Sequence, residues 1–110
     1  HRIGETPLRI GRIAGNDVVL ATPEVSRSHC MVVLEPGRGA VLTDLGSTNG
    51  TFVDGRRVTA PTLLADHNLL AVGSHTLLYR RGTAEQIARA ATLEGEMERA
   101  VRYVRAVLPE

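Results

Sequence analysis

Apolar residues come in short runs broken by turn formers as far as Arg80-Arg81-Gly82, and in a longer helical rhythm beyond it. Before that point Leu8–Arg12, Asp17–Leu20, His29–Glu35, Ala40–Leu45, Thr51–Val53, Asn68–Val72 and His75–Arg80 read as strands. They are rich in Val, Leu and Ile and lie only a few residues apart. Pro36-Gly37-Arg38-Gly39 carries hairpin chemistry between two of them. Asp54-Gly55 is a type I′ signal, because two successive residues there need positive φ. Many short strands with no helix between them predict an antiparallel sandwich or barrel.

From Thr83 the period changes. Thr83-Ala84-Glu85-Gln86 fits a capping box, in which the threonine oxygen and the glutamine side chain bond each other's backbone N–H groups. Ile87, Ala90, Glu94, Met97, Val101, Val104 and Leu108 alternate steps of three and four. Glu85→Arg89 and Glu98→Arg102 are favourable i,i+4 pairs, and Pro109 stops the run. The expectation is one helix of roughly 37 Å, longer than a small sandwich needs for closure. Glu94 and Gly95 weaken its middle. Such a stripe predicts a marginal parallel homodimer through residues 83–108, with packing onto its own domain as the alternative.

Composition narrows the function classes. Thirteen basic residues, all arginine, face twelve carboxylates, for a net charge of +1. That balance argues against electrostatic nucleic-acid binding, and three aromatic residues (Phe52, Tyr79 and Tyr103) make no stacking platform. No apolar run approaches the ~18 residues that a membrane-spanning helix requires. The single cysteine, Cys30, allows neither an internal disulfide nor a cysteine-based zinc site, so a reducing cytoplasmic setting is expected. A chain of 110 residues seldom builds both a core and a deep cleft, which disfavours an enzyme.

The candidate chemistry agrees. No Gly-x-Ser-x-Gly elbow occurs, and no nucleophile has an evident base. Asp66-His67 and His75 lack a matched third metal ligand, so they read as polar turn residues, with no metal and no cofactor expected. Gly-Ser-Thr-Asn-Gly at 46–50 lacks the Gly-Lys-Ser/Thr ending of a nucleotide loop. A different set stands at strand ends: Gly11-Arg12, Ser26-Arg27-Ser28-His29, and Asp44 followed by Ser47-Thr48-Asn49-Gly50-Thr51. Arg12 and Arg27 offer planar forks, Ser26 and Thr48 hydroxyls, and Asn49 an amide that both donates and accepts. Two cations with neutral donors suit a phosphate of about −1.5 to −2 charge, not a transition state.

In this order, with Val-Asp-Gly at 53–55, these blocks resemble the forkhead-associated (FHA) domain over roughly Leu8 to Arg80. The resemblance implies an eleven-stranded β-sandwich that binds phosphothreonine peptides through loops at one end. By position, Arg12, Ser26, Arg27 and Thr48 would contact phosphate, and Asn49 would hold the peptide main chain. His29 would hold Ser26 in place, while Gly11 and Gly50 would allow tight backbone. Asn16 would be structural, and Cys30 an inert core thiol. The sequence departs from the family in two places. Only His1 to Pro7 precede the first strand, where the family usually has another, so that strand is expected to be short, displaced or cut away. His67-Asn68 replaces the usual Gly-Asp, a turn that Asn can sustain because it tolerates positive φ.

The tail from Leu93 to Glu110 is similar, more weakly, to the helical lead-in of bacterial sporulation stage II type metal-dependent serine phosphatases. The sequence therefore reads as an all-β FHA-like antiparallel β-sandwich at 1–82 followed by one long C-terminal α-helix at 83–110. The expected function is a phosphothreonine-peptide-binding signalling module of a larger bacterial regulatory protein, with a relay helix. Its partner would be a phosphothreonine-containing protein or its own phosphorylated segment. The rival reading is a scaffold or dimerisation module of the same shape that binds an unphosphorylated surface.

Overall fold

Period-two alternation and turn chemistry produce ten strands in the computed structural model, which describes Ile3 and residues 6–83, 85–86 and 102–108. They are β1 (Leu8–Gly11), β2 (Val18–Val19), β3 (Cys30–Glu35), β4 (Gly39–Asp44), β5 (Thr51–Val53), β6 (Arg56–Arg57), β7 (Thr62–Leu63), β8 (Leu69–Val72), β9 (His75–Thr83) and β10 (Arg102–Leu108). One sheet has the order β2-β1-β3-β4-β7 and the other β10-β9-β8-β5-β6. Each is mixed: β1 with β2 and β9 with β10 are parallel, and the remaining pairs are antiparallel. All seven predicted strands are present; β6 and β7, two residues each, and β10 are additional.

Alternate residues of both sheets meet in one core. Ile10, Val18, Val32 and Leu42 face Leu70, Val72, Leu77 and Tyr79, all essentially inaccessible to water. Each such side chain contributes about 1.5–3 kcal/mol relative to exposure. Cys30 lies in this core, and burial pushes its thiol up to about 12, so it stays an unreactive thiol at neutral pH.

The turns follow their sequence signals. Asp54 and Gly55 have φ of 49° and 84°, the type I′ pair, and join β5 to β6. Arg38 N–H bonds Glu35 C=O in the β3–β4 hairpin. At His67-Asn68 the positive φ of 71° falls on His67, not on Asn68. Asn68 instead supplies bonds: its Oδ1 accepts from Ala65 N–H and its Nδ2 donates to Asp54 Oδ2.

The tail departs from the helical expectation. The capping box forms, with Thr83 N–H to Gln86 Oε1 at 2.9 Å and Gln86 N–H to Thr83 Oγ1 at 3.3 Å. Ile87, Ala90, Glu94, Met97 and Val101 of the predicted seam lie outside the described residues. Arg102–Leu108, however, is a strand and not the end of a helix. Val104 belongs to the chain's own core, fully buried with Ala106, so it is not a seam residue. The ambiguity is one of period: Val104 and Leu108 fit a heptad, but Val104, Ala106 and Leu108 also fit alternation. Tyr103 and Arg105 share the other face, the guanidinium 5.0 Å from the ring centre. Parallel pairing with β9 settles the period, satisfying backbone groups that a β9 edge would leave open. Ahead of β1, buried Ile3 donates its N–H to Arg105 C=O, which ties it to β10.

Candidate functional site

The sandwich brings the predicted residues to one end. Gly11 closes β1, Cys30 opens β3, Asp44 closes β4 and Thr51 opens β5, so the loops between them crowd together there. Gly11 is needed for that approach, since a Cβ on it would collide with the Arg27 carbonyl oxygen and the Asn16 side chain. Asn16 Nδ2 bonds both Ile13 C=O and Arg27 C=O, stapling the 12–17 loop to the 25–28 loop. Arg12 N–H bonds Ser26 C=O at 3.0 Å, and Arg12 Nε–H bonds Val25 C=O at 3.0 Å. The guanidinium plane is thus held from one edge while the side chain stays exposed.

His29 is fully buried and makes two bonds. Ser26 N–H donates to Nδ1 at 3.0 Å, and Nε2 lies 2.9 Å from Gly50 C=O. A carbonyl only accepts, so the proton sits on Nε2. One ring thereby fixes the Ser26 loop against the 46–50 loop. Ser26 Oγ accepts from Thr48 N–H at 3.1 Å, a second tie between them. Gly50 has φ of 85°, and a Cβ there would meet the Arg57 guanidinium at 2.9 Å.

Asp44 organises the third loop. Its carboxylate accepts from Gly46 N–H, Ser47 N–H, Ser47 Oγ and Thr51 Oγ1. Burial alone would raise its pKa, but the bonds from Ser47 and Thr51 outweigh burial and hold it below the ordinary 3.8. Asn49 Nδ2 donates to Glu24 C=O at 2.8 Å, and Asn49 remains exposed. Glu24 is anchored by a short bond from Ser74 Oγ, which lowers its pKa, and Thr22 Oγ1 hydrogen-bonds His75 Nε2 at 3.0 Å. The β8–β9 turn therefore braces the segment from Thr22 to Glu24, and through Glu24 the 46–50 loop.

Arg12, Ser26, Arg27, Thr48 and Asn49 thus stand on three loops tied by Asn16, His29 and Asp44. Among the described residues neither Arg12 nor Arg27 has a carboxylate partner, which leaves two cationic forks available to an anion. The Asp66, His67 and His75 set is not assembled: Asp66 pairs with His67 and Arg80 at the far end, and His75 bonds Thr22. Among the described residues no group of three His, Cys, Asp or Glu side chains could hold a metal. Sequence reading missed the Thr22-Pro23-Glu24 support and the position of Arg57. Neither follows from spacing, because both depend on contacts between distant segments.

Comparison with known proteins places this geometry. The FHA domain family model matches residues 8–73. The ABC transporter ATP-binding/permease protein Rv1747 of Mycobacterium tuberculosis is 42% identical over 83 residues, covering 73% of this chain and 9% of that protein. The structure of Mycobacterium tuberculosis EmbR in complex with a low-affinity phosphopeptide superposes with a TM-score of 0.60 at 36% identity, covering 64% of this chain and 18% of EmbR. A structure from work on phosphothreonine-dependent FHA domain interactions gives 0.60 at 35% identity, covering 66% of this chain and 73% of that one. The two named relatives are thus far longer than the matched segment. With the family model spanning Leu8 to Gly73 and the site-forming loops all inside that span, the chain belongs to the FHA domain family.

Proposed function

We propose that this chain is a phosphothreonine-peptide-binding module, not an enzyme, that serves signalling within a larger protein. Arg12 and Arg27 take the phosphate oxygens, Ser26 and Thr48 add hydroxyl donors, and Asn49 holds the peptide main chain. The observation that carries the reading is the Arg12 fork, held by Val25 C=O at a strand end that also bonds Ser26, the neighbour of Arg27, in loops locked by His29. The EmbR complex with a phosphopeptide supports the same ligand class. A phosphate group accepts several charge-assisted bonds at once, whereas an unphosphorylated threonine leaves both guanidiniums without a partner.

Preference for phosphothreonine over phosphoserine would rest on one methyl group, worth about 0.8 kcal/mol or roughly four-fold. Fluorescence anisotropy with three matched peptide pools, carrying phosphothreonine, phosphoserine or threonine, tests this. The expected order of affinity is phosphothreonine, phosphoserine, then threonine. Equal binding of the phosphorylated and unphosphorylated pools would remove the proposal.

A further inference from the structure

Beyond the phosphate loops, the open flank of the sandwich carries a feature that phosphate recognition does not use. β6 and β7 are the edge strands of opposite sheets, and the chain between them returns to the phosphate end. A groove of about 690 Å³ runs along this flank over Val53, Val58 and Leu63, with Arg56 and Arg57 on its border. A smaller groove of about 430 Å³ opens beside Asp44 and Gly46, against the 57–61 segment. Arg57 lines both. It is where the flank meets the phosphate end.

The position of Arg57 is fixed by register. Val58 N–H bonds Thr51 C=O, and Arg57 pairs with Phe52, which carries its guanidinium over Gly50, next to Thr48 and Asn49. Gly50 has no side chain to cover it. Among the described residues Arg57 has no ion-pair partner, and it is exposed. The acidic group nearest along the smaller groove, Asp44, has its oxygens engaged by Ser47, Thr51 and Gly46. An uncommitted fork therefore stands against Gly50, the residue after Asn49, and lines both grooves.

We propose that Arg57 is a specificity residue that reads a carboxylate, Asp or Glu, flanking the phosphothreonine of the same ligand, as the peptide passes over Gly50 toward the flank groove. This rests on the phosphothreonine reading above. Charge complementarity selects the occupant: an acidic side chain gains a charge-assisted pair, and a basic one meets a cation. The smaller groove, lined by Asp44 and Gly46 at one side and Arg57 at the other, gives the route.

The test uses oriented phosphothreonine peptide pools with Asp, Gln or Lys fixed at each flanking position in turn, titrated by anisotropy. The wild-type chain should prefer Asp over Lys at one position or more, by about three- to ten-fold. Arg57→Gln should abolish that preference and keep its affinity for the Gln-fixed pools, and Arg57→Glu should reverse it. Arg38→Gln, which removes a charge from the distant β3–β4 hairpin, should change nothing. A wild-type chain with phosphate-dependent binding but no acidic preference overturns this proposal alone. So does a preference that survives Arg57→Gln, or an equal loss across all pools, which would make Arg57 a mere prop for Gly50. If no phosphorylated pool outcompetes its unphosphorylated match, the phosphothreonine reading itself falls, and this inference falls with it.

Discussion

The Arg12 guanidinium is already half ordered, because its Nε–H is engaged by Val25 C=O while the side chain stays exposed. That preorganisation reduces the entropy lost on binding. Arg12→Ala should cost about 2–5 kcal/mol of phosphopeptide affinity, roughly 30- to several-thousand-fold by anisotropy. Arg12→Lys should restore little, since an ammonium can neither keep the bond to Val25 C=O and offer a fork at once nor match its plane. Asp44 sets a pH limit instead. Its folded pKa lies below the ordinary 3.8, so its stabilising contribution is complete above that value and is lost as pH falls below it. Asp44→Asn should flatten the acid limb of a urea-stability profile and lower stability at neutral pH. A profile unchanged in shape would show that other carboxylates govern acid unfolding. At this scale the ordered motif blocks were informative about position, since Arg12, Ser26, Arg27, Thr48 and Asn49 stand on loops at one end of the sandwich. They were silent on Arg57, whose place depends on the β5–β6 register and on an unsubstituted Gly50.

At the scale of elements, turn chemistry located the hairpins, since Asp54-Gly55 can hardly do anything but reverse the chain. The two-residue strands β6 and β7 escaped because a pattern needs several residues to show a period. β10 was misread for the opposite reason, too many compatible periods in Arg102–Leu108, and only the open edge of β9 discriminates between them. Burial makes the correction testable. Val104→Ala should destabilise by about 1–3 kcal/mol through lost apolar contact and a residual cavity, and Val104→Glu should unfold the domain. Urea titration followed by tyrosine fluorescence would read both. If Val104→Glu stays folded and merely changes the sedimentation mass, the residue would face a second copy and not its own core.

For the molecule as a whole, three loops, the β8–β9 turn and the core form one cooperative unit, linked by Asn16, His29 and the Glu24–Ser74 pair. A ligand that bridges those loops stabilises everything they touch. At a concentration a hundred times its Kd, a phosphopeptide should stabilise the fold by about 2.7 kcal/mol, a rise in Tm on the order of 10 °C. The unphosphorylated peptide at the same concentration should leave Tm unmoved, and a scanning calorimeter distinguishes the two directly.

The parallel pairing of β9 with β10 fixes a further property, of practical kind. β9 starts at the turn that braces Thr22 and Glu24 and runs away from the 12–17, 25–28 and 46–50 loops for nine residues, about 27 Å at strand rise. β10 travels beside it in the same direction, Arg102 opposite Leu77 and Leu108 opposite Thr83. The backbone thus leaves Leu108 at the pole remote from the loops. A biosensor surface, a fluorescent reporter or a fused enzyme attached beyond that residue is held by the blunt end of the sandwich. The end that carries the proposed phosphopeptide site then points outward, away from its own tether.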